Sequence, residues 1–352
     1  MATKTRRHQE YRGATNLASC PHSEAREWWP GQMEGGEMAR TFHCFIEHRY
    51  RSQNKIAAFP SILLKRHMQV QKTILITGAN NGIGLATAQL LAAKGHTILT
   101  LCRDKSKGDK TVTNLKKAYP GIQAENFTAD LSDFDAVQKA AQEIVAKYPV
   151  IDRLINNAGY YAGAIEYSGN VEKTLKASHL GHMLLTQLLL PSLNRSSEAR
   201  IINVSSALHA QGSADRFFKR TQGMSFSQAY SDAKLANVLF TLGLTKHLPS
   251  NIKTFVLHPG VVRTGFANNS SGWFSTIIKI LKPFFLSPEQ GAATSVYLAD
   301  VNMEEISSLN GHYFAKKKAT PLRHKDVTEQ KAAWLWSNSM EFLKPYLKIT
   351  SV

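Results

Sequence analysis

The sequence predicts an α/β fold in which a doubly wound, mostly parallel sheet carries helices on both faces. From residue 72 onward, short apolar runs bounded by turn residues alternate with longer amphipathic segments. Strands and helices that alternate in this way form a parallel sheet that is covered on both sides. The composition shows no break within 71–346, so we expect one domain over this range.

The predicted strands are the apolar runs, and the predicted helices are the segments with apolar residues at helical spacing. The strands are expected at 73–77, 97–102, 122–128, 150–156, 200–206 and 252–258, with a last strand at 311–314. The helices are expected at 84–95, 136–148, 180–193 and 227–248.

Residues 1–70 differ from the rest because they carry many charges and show no sustained periodicity. We expect a disordered or loosely structured extension there. An early arginine-rich stretch would suit an organelle transit peptide, but Glu10, Glu24 and Glu27 argue against one. Organelle import through the N-terminus stays an open alternative.

The formal net charge of +17 raises the question of nucleic-acid binding. The positive residues are dispersed apart from the lysines at 316–318, and no RNA- or DNA-binding motif accompanies them. We therefore expect no nucleic-acid partner.

The cysteines and the apolar runs indicate where the protein works. Cys20, Cys44 and Cys102 are widely spaced and form no CxxC motif, which predicts reduced thiols in a cytosolic-type compartment. No apolar run reaches the roughly 18–20 residues that a membrane span needs. We expect a protein that is cytoplasmic, or at most peripheral to an intracellular membrane.

A glycine-rich turn joins the first predicted strand to the first predicted helix. Gly78, Gly82 and Gly84 permit positive φ angles and let backbone N–H groups approach a phosphate closely. The following helix N-terminus adds unpaired N–H donors and a partial positive charge. This strand–turn–helix context favours dinucleotide binding, and the alternative is a glycine-rich turn without a ligand.

The stretch "AYSDAKLAN" places Tyr230 and Lys234 on one face of a predicted helix. A free phenol has a pKa of about 10, and a nearby ammonium lowers it. A serine of "RIINVSSALH", at the end of a predicted central strand, could polarise a substrate oxygen beside this phenol. The alternatives are a packed core tyrosine and a solvated lysine. Tyr313 and Lys317 have the same spacing without such companions, so we expect that pair to be incidental.

The motifs together resemble the short-chain dehydrogenase/reductase family. The family pattern is carried by TGxxxGxG at 77–84, "NNAG" at 156–159, "NVSS" at 203–206 and "YSDAK" at 230–234. The stretches "HLGHMLLTQLLLP", "HPGVVRT" and "EQGAATSVYLA" look like its retinol dehydrogenase-like branch, as does a longer insertion between the serine and the tyrosine. The resemblance covers 72–346 and implies a Rossmann-type fold.

The resemblance implies a role for each residue of the catalytic group. Ser206, the second serine of "NVSS", would polarise the carbonyl, and Ser205 would be structural. Tyr230 would exchange the proton, while Lys234 would lower its pKa and bind the nicotinamide ribose. Ser178 stands where the branch usually has an asparagine that helps to hold a water for proton relay. Serine is shorter and lacks the planar amide. It could still hold the water, or the relay could be slower or take another route, which would impair turnover.

The resemblance also assigns the cofactor site. An arginine at the end of the second strand accommodates the 2′-phosphate of NADP, so Arg103 favours NADP(H) over NAD(H). Asp104 can instead be a helix cap. Asp130 is expected to flank the adenine ring, or else to cap a helix that begins near Ser132. Pro259 and the residues after it would shape the nicotinamide pocket. The assigned cofactor residues are Gly78, Asn80, Asn81, Gly82, Ile83, Gly84, Arg103, Asp130, Leu131, Asn157, Ala158, Gly159, Tyr230, Lys234, Pro259, Gly260, Val262 and Thr264.

Apolar residues recur at roughly helical spacing over 273–286. By resemblance this segment forms a lid over the substrate, which suits a retinoid, a steroid or a lipid aldehyde. One alternative is an amphipathic helix over ordinary core. Another is a helix on a membrane surface, with Lys279 and Lys282 near anionic headgroups.

We therefore predict an NADP(H)-dependent oxidoreductase that interconverts hydrophobic alcohols and carbonyls. The alternative is a dinucleotide-binding sensor or scaffold with little turnover, which Ser178 and the unusual N-terminal extension favour. The histidines at 179, 182, 209 and 258 show no metal-ligand spacing, so no metal is expected. A homo-oligomer is compatible with the sequence.

Overall fold

An eight-stranded sheet lies at the centre of the structure, a computed structural model that describes residues 70–160, 164–260 and 286–347. The sheet order is β3-β2-β1-β4-β7-β8-β9-β10; the β9–β10 pair is antiparallel and the other pairs are parallel. A separate antiparallel hairpin pairs β5 with β6. In chain order the strands are β1 (Thr73–Thr77), β2 (Thr97–Cys102), β3 (Ala124–Thr128), β4 (Arg153–Asn156), β5 (Tyr167–Ser168), β6 (Val171–Glu172), β7 (Ala199–Val204), β8 (Ile252–Leu257), β9 (Tyr313–Ala315) and β10 (Lys318–Ala319).

The described helices are, in chain order, α1 (Gly82–Ala92), α2 (Lys105–Ala118), α3 (Phe134–Lys147), α4 (Lys173–Leu175), α5 (Gly181–Asn194), α6 (Phe226–His247), α7 (Pro288–Asp300), α8 (Met303–Ile306) and α9 (Glu329–Leu343). A π turn at Lys176–Leu180 joins α4 to α5, and short 3-10 turns lie at Ala207–Gln211, Ala214–Arg216, Ser307–Leu309 and Lys344–Tyr346. One face of the sheet packs against α1, α2 and α7. The other face packs against α3, α5 and α6, and α9 packs on α6.

The central strands are rich in apolar residues because helices cover both of their faces. In β1, Leu75 faces one helix layer while Ile74 and Ile76 face the other, and all three are fully buried. Every residue of β2 is buried as well. Burial of an isoleucine or leucine side chain stabilises the fold by about 1.5–3 kcal/mol, so the alternation of side chains anchors both layers.

The predicted fold class is confirmed, and the differences concern boundaries and weakly patterned helices. The strand expected at 200–206 ends at Val204, so both candidate serines lie in the loop after it. Helix α2 was not predicted, because only two of its four buried residues, Val112 and Leu115, have apolar side chains. Helices α7 and α9 were likewise not predicted as elements.

Two expectations concern residues outside the described ranges. The N-terminal extension is one of them, apart from the exposed Val70. The lid is the other, since only Leu286 of 273–286 is described. Within the described ranges, every helix falls short of the length and apolarity that crossing a membrane requires.

Candidate active site

The predicted site segments meet at one edge of the sheet. The chain reverses its strand order between β1 and β4, and ligands of open α/β sheets bind at the carboxyl ends of strands at such a point. The glycine turn follows β1, the "NNAG" segment overlaps the end of β4, and the two serines follow β7. The topology therefore brings the three motifs to a common crevice.

The turn from β1 into α1 has a backbone that fits a pyrophosphate group. Gly78 and Gly82 have φ angles of +67° and +52°, in the left-handed region that glycine favours. A Cβ on Gly84 would lie 2.4 Å from both Gly78 O and Asn157 Nδ2. Asn81 precedes α1, and its side chain makes no cap hydrogen bond. The N–H groups of the first turn are therefore not bonded to this side chain. A phosphate at a helix N-terminus requires these features.

Thr77 joins the glycine turn to the "NNAG" segment. Its Oγ1 accepts the backbone N–H groups of Asn157 and Ala158, both at 2.9 Å. Asn157 Nδ2 in turn donates to Thr77 O at 2.8 Å. The two predicted cofactor segments are therefore adjacent. Their remaining assigned residues are Asn80 and Ile83, which are half-buried, and Gly159, which is exposed.

Arg103 follows β2 at the same edge of the sheet. Its side chain is exposed, and Nη1 lies 3.9 Å from Asp130 Oδ2. The next residue, Asp104, caps α2, since its carboxylate accepts the N–H of Lys107 at 3.0 Å. The cap interpretation of Asp104 is thus correct, and this carboxylate is engaged.

The alternative that Asp130 caps a helix near Ser132 is wrong. Helix α3 begins at Phe134, and Asp133 is its cap. Asp130 Oδ1 instead accepts both the N–H and the O–H of Ser132 at 2.8 Å, which closes a tight turn. The neighbouring Leu131 packs its backbone against α5, because a Cβ on Gly181 would lie 2.1 Å from Leu131 O.

Tyr230 and Lys234 lie on α6, with Lys234 Nζ 5.6 Å from the centroid of the Tyr230 ring. Lys234 is 3% exposed, and its Nζ donates to Val204 O, at the end of β7, at 3.0 Å. Burial lowers the pKa of Lys234 to about 8. The fold therefore holds an ammonium beside a phenol at the carboxyl edge of the sheet, and an ammonium favours the phenolate form.

The two serines after β7 have different environments. Ser205 is buried, and its hydroxyl donates to Lys234 O at 2.7 Å. Ser206 is half-buried, and its Oγ accepts the N–H of Leu208 at 3.2 Å. This bond leaves the Ser206 O–H as a donor for another group. The hydroxyl of Ser205 is engaged within the fold, in keeping with a structural role.

Comparison with known proteins identifies the family. The sequence profile described as short chain dehydrogenase matches residues 72–273, more than half of the chain. Human retinol dehydrogenase 12 is 36% identical over 276 residues, which cover 77% of this chain and 86% of that protein. The chain is a short-chain dehydrogenase/reductase of the retinol dehydrogenase-like branch.

Further comparisons agree with this assignment. Human retinol dehydrogenase 14 is 35% identical over 292 residues, which cover 76% of this chain and 85% of that protein. Among solved structures, an uncharacterized protein from Mycobacterium paratuberculosis is similar with a TM-score of 0.61 and 29% identity, covering 78% of this chain and 94% of that one. This short-chain dehydrogenase thus belongs among the oxidoreductases that act on alcohols and carbonyls.

Ser178 of this short-chain dehydrogenase lies in the π turn between α4 and α5. Its side chain is 1% exposed, and its Oγ accepts the N–H of Tyr160 at 3.1 Å. Its backbone carbonyl accepts a bond from His182 Nδ1 at 2.9 Å. Both oxygens of Ser178 are therefore tied to neighbouring parts of the site.

The turn after β8, where the resemblance predicts the nicotinamide pocket, is described only as far as Gly260. That residue has a φ of +85°, and its N–H donates to His258 Nδ1 at 3.1 Å. A Cβ on Gly260 would lie 2.6 Å from Leu286 Cδ1, so Leu286 packs directly over this turn. Pro259 is half-buried beside it. Val262 and Thr264 lie outside the described residues.

Tyr313 and Lys317 do not form a second Tyr–Lys site. Tyr313 lies in β9, packed between the rings of His209 and His258 at centroid distances of 5.1 and 5.8 Å. Burial raises the pKa of Tyr313 to about 12, opposite to the change that proton transfer needs. Lys317 lies in the turn after β9, where its N–H donates to Thr294 Oγ1.

The insertion between Ser206 and Tyr230 is held by carboxylates that no motif indicated. Asp232, on α6 between Tyr230 and Lys234, accepts Arg216 Nε at 2.8 Å and the N–H of Ser213 at 2.8 Å. Asp326 accepts the N–H of Ala214 at 2.9 Å. Apart from "YSDAK" itself, the sequence offered no signal for these contacts, since each joins residues far apart in the chain. The insertion is thereby fixed to α6 and to the segment before α9.

Among the described residues, no three His, Cys, Asp or Glu side chains are arranged to hold a metal ion. His209 and His258, which are distant in sequence, nevertheless meet around Tyr313.

Proposed function

We propose that this short-chain dehydrogenase interconverts hydrophobic alcohols and carbonyls with NADP(H), and that residues 71–346 form the catalytic domain. The observation that carries the proposal is the buried Lys234 ammonium, 5.6 Å from the Tyr230 ring centroid. A phenol beside an ammonium loses its proton more readily than free tyrosine, whose pKa is about 10. Tyr230 is thereby suited to exchange a proton with a substrate oxygen.

The proposed roles follow from the hydrogen bonds of each group. In reduction, Tyr230 donates its proton to the carbonyl oxygen, and the ammonium of Lys234 stabilises the phenolate that remains. The O–H of Ser206 donates to the same oxygen, because Ser206 Oγ is an acceptor in its bond to Leu208 N–H. In oxidation, Tyr230 as phenolate takes the proton of the alcohol. When bound, a nicotinamide cofactor supplies or takes up hydride at the substrate carbon.

The preference for NADP(H) is supported by the charges at the end of β2. Asp104, the carboxylate nearest to this corner in sequence, is engaged in capping α2, where its carboxylate also lies 3.3 Å from Lys107 Nζ. Arg103 remains as an exposed cation, weakly paired at 3.9 Å with Asp130. A guanidinium can bind a 2′-phosphate through two parallel hydrogen bonds, whereas NAD(H) offers only a hydroxyl there.

A hydrophobic substrate is supported by the relatives and by two leucines at the site. The relatives at about 35% identity are named retinol dehydrogenases. Leu208 is 37% exposed, although it lies only two residues from Ser206. Leu286, at the end of the proposed lid 273–286, packs over Gly260. Apolar side chains near Ser206 and over Gly260 would suit a hydrophobic carbonyl.

The decisive experiment is a substrate panel with the matched variant Tyr230→Phe. Retinal, a long-chain aldehyde and a steroid ketone are each offered with NADPH and with NADH, and cofactor absorbance is followed. We expect reduction with NADPH by the wild type. Since general acid catalysis contributes about 100-fold or more, Tyr230→Phe should lose turnover by at least that factor while its dissociation constant for NADPH stays within about threefold.

Two results would contradict the proposal. Turnover that survives in Tyr230→Phe would remove the phenol from the reaction. Tight NADPH binding without turnover of any alcohol or carbonyl by the wild type would favour the alternative, a dinucleotide-binding sensor or scaffold.

A further inference from the structure

His182 is a buried histidine that joins two parts of the candidate site. It lies in the first turn of α5, directly after the π turn that carries Ser178, and it is 1% exposed. Its Nδ1 lies 2.9 Å from Ser178 O, and its Nε2 lies 2.9 Å from Thr77 Oγ1. Because Thr77 ends β1, the imidazole bridges the helix layer and the strand that leads into the glycine turn.

The partners of His182 define its tautomer. Ser178 O is a carbonyl oxygen and can only accept, so Nδ1 must carry the hydrogen. Nε2 is then a lone-pair acceptor and takes the hydroxyl hydrogen of Thr77. Burial and the nearby Lys234 ammonium lower the pKa of His182 to about 4, so the imidazole is neutral at physiological pH. A neutral ring with one donor and one acceptor satisfies both partners.

The bond to His182 completes the hydrogen-bonding capacity of Thr77. A threonine hydroxyl has one hydrogen and two lone pairs. The lone pairs accept the N–H groups of Asn157 and Ala158, both at 2.9 Å. The hydrogen goes to His182 Nε2 at 2.9 Å, because the other acceptor within reach, Ile155 O, lies farther away at 3.5 Å. The imidazole therefore orients the Thr77 hydroxyl, which in turn holds the "NNAG" backbone beside the glycine turn.

The π turn is the other element that His182 holds. π turns are rare and occur frequently at functional sites. Here the N–H of Gly181 donates to Lys176 O, five residues back, instead of four as in an α-helix. Ser178 sits inside this turn, with its Oγ bonded to Tyr160 N–H and its carbonyl bonded to His182. Without the imidazole, the Ser178 carbonyl loses its link to β1.

We propose that His182 is a positioning residue for the reaction. It fixes the π turn that carries Ser178 against the Thr77 end of β1. It thereby holds the proton-transfer residues at a fixed position relative to the glycine turn. This inference rests on the proposed function for its kinetic consequence. Its structural consequence, the ordering of the "NNAG" backbone, does not depend on activity.

Three substitutions separate the two ends of the bridge. His182→Asn places an amide N–H near the position of Nδ1 and keeps the bond to Ser178 O. His182→Gln places an amide oxygen near the position of Nε2 and keeps the bond to Thr77. His182→Leu keeps most of the volume and removes both bonds. The matched control is His179→Leu, because His179 is also fully buried in the π turn but bonds to Ser339 Oγ.

The kinetic arm measures kcat and the dissociation constant for NADPH for each folded variant. We expect His182→Leu to lower kcat by about tenfold or more while the dissociation constant for NADPH stays within about threefold. His182→Asn and His182→Gln should fall between this variant and the wild type. His179→Leu should lower the melting temperature but leave kcat per folded molecule within about twofold of the wild type.

The second arm is amide hydrogen exchange of the cofactor-free proteins. The N–H groups of Asn157, Ala158 and Tyr160 should exchange about tenfold faster in His182→Leu, and should be unchanged in His179→Leu. If the wild type turns over no substrate, the proposed function fails, and this arm still decides whether His182 orders the site.

The inference is overturned if folded His182→Leu has a kcat within about twofold of the wild type. Unchanged exchange of the three amides would overturn it independently. If His182→Leu does not fold, His182→Asn and His182→Gln decide, since wild-type kcat and wild-type exchange in both would show that neither bond positions the site.

Discussion

The Lys234 ammonium lies 5.6 Å from the centroid of the Tyr230 ring, one helical turn away on α6, and it donates a hydrogen bond to the carbonyl that ends β7. This placement requires a charged group to be almost fully buried. Desolvation disfavours the charged form, which is why the pKa of Lys234 falls to about 8. The arrangement that suits proton transfer is therefore expected to destabilise the fold.

Lys234→Met should raise the free energy of unfolding at pH 7 by about 1–3 kcal/mol while it abolishes turnover. The folded pKa of about 8 lies below the ordinary 10.5, so the unfolded state binds more protons between these pH values. Wild-type stability consequently rises with pH across this window. The free energy of unfolding of the variant should exceed that of the wild type by the full difference below pH 8, and this difference should vanish above about pH 10.5.

Urea unfolding of both proteins at several pH values measures this difference. Val204 O keeps a donor in the variant, because Asn237 Nδ2 lies 3.3 Å from it. A variant that is less stable than the wild type at pH 7, or a difference that does not depend on pH, would contradict the prediction.

The sequence predicts those parts of the site that depend on local spacing. Tyr230 and Lys234 share a helix face because they are four residues apart, and the glycine turn is recognisable because positive φ angles select glycine. The sequence alone could not decide whether Asp130 caps a helix or flanks the cofactor, because the answer depends on where α3 begins. Asp133 lies three residues away and is an equally good cap.

Contacts between segments that are distant in the chain cannot be predicted from sequence patterns. Arg153 and Arg200 are fully buried within central strands, where a charged residue is not expected. Their guanidinium groups donate to Ala299 O and Leu298 O, at the end of α7, across about a hundred residues or more of chain. His182 was missed for the same reason, since its partner Thr77 is 105 residues away. A lone histidine in an apolar helix carries no sign of such a partner.

Gly84→Ala should weaken cofactor binding. A Cβ at this position would lie 2.4 Å from Gly78 O, a backbone atom that cannot rotate away, so α1 must move relative to the glycine turn. We expect the dissociation constant for NADPH to rise about tenfold or more. Calorimetry or fluorescence titration of the cofactor measures this change.

Gly95→Ala is the control for this substitution. Gly95 has a φ of +85° but open space around it, so alanine should cost about 1 kcal/mol of stability without affecting cofactor affinity. Equal affinities for NADPH in Gly84→Ala and the wild type would show that the N-terminus of α1 does not approach the pyrophosphate.

Arg103→Ala should change the preference between the two cofactors. If the exposed guanidinium binds the 2′-phosphate, its removal should raise the dissociation constant for NADPH about tenfold and leave that for NADH within about twofold. Lys105→Ala is the matched control, because Lys105 is also an exposed cation near this corner but pairs with Asp109 at 2.6 Å. An equal loss with both cofactors in Arg103→Ala would mean that this arginine does not read the 2′-phosphate.

Ser178→Asn tests whether the serine in the π turn limits turnover. Asparagine keeps an acceptor for Tyr160 N–H, now bonded to Ser178 Oγ at 3.1 Å, and adds amide N–H donors that can order a relay water. We expect kcat to rise by about two- to tenfold. Ser178→Ala, which leaves the Tyr160 N–H without this acceptor, should lower kcat and destabilise the fold by about 1–3 kcal/mol. Steady-state kinetics and urea unfolding of the three proteins measure both effects. If kcat is the same in all three, proton transfer at the site does not involve this side chain.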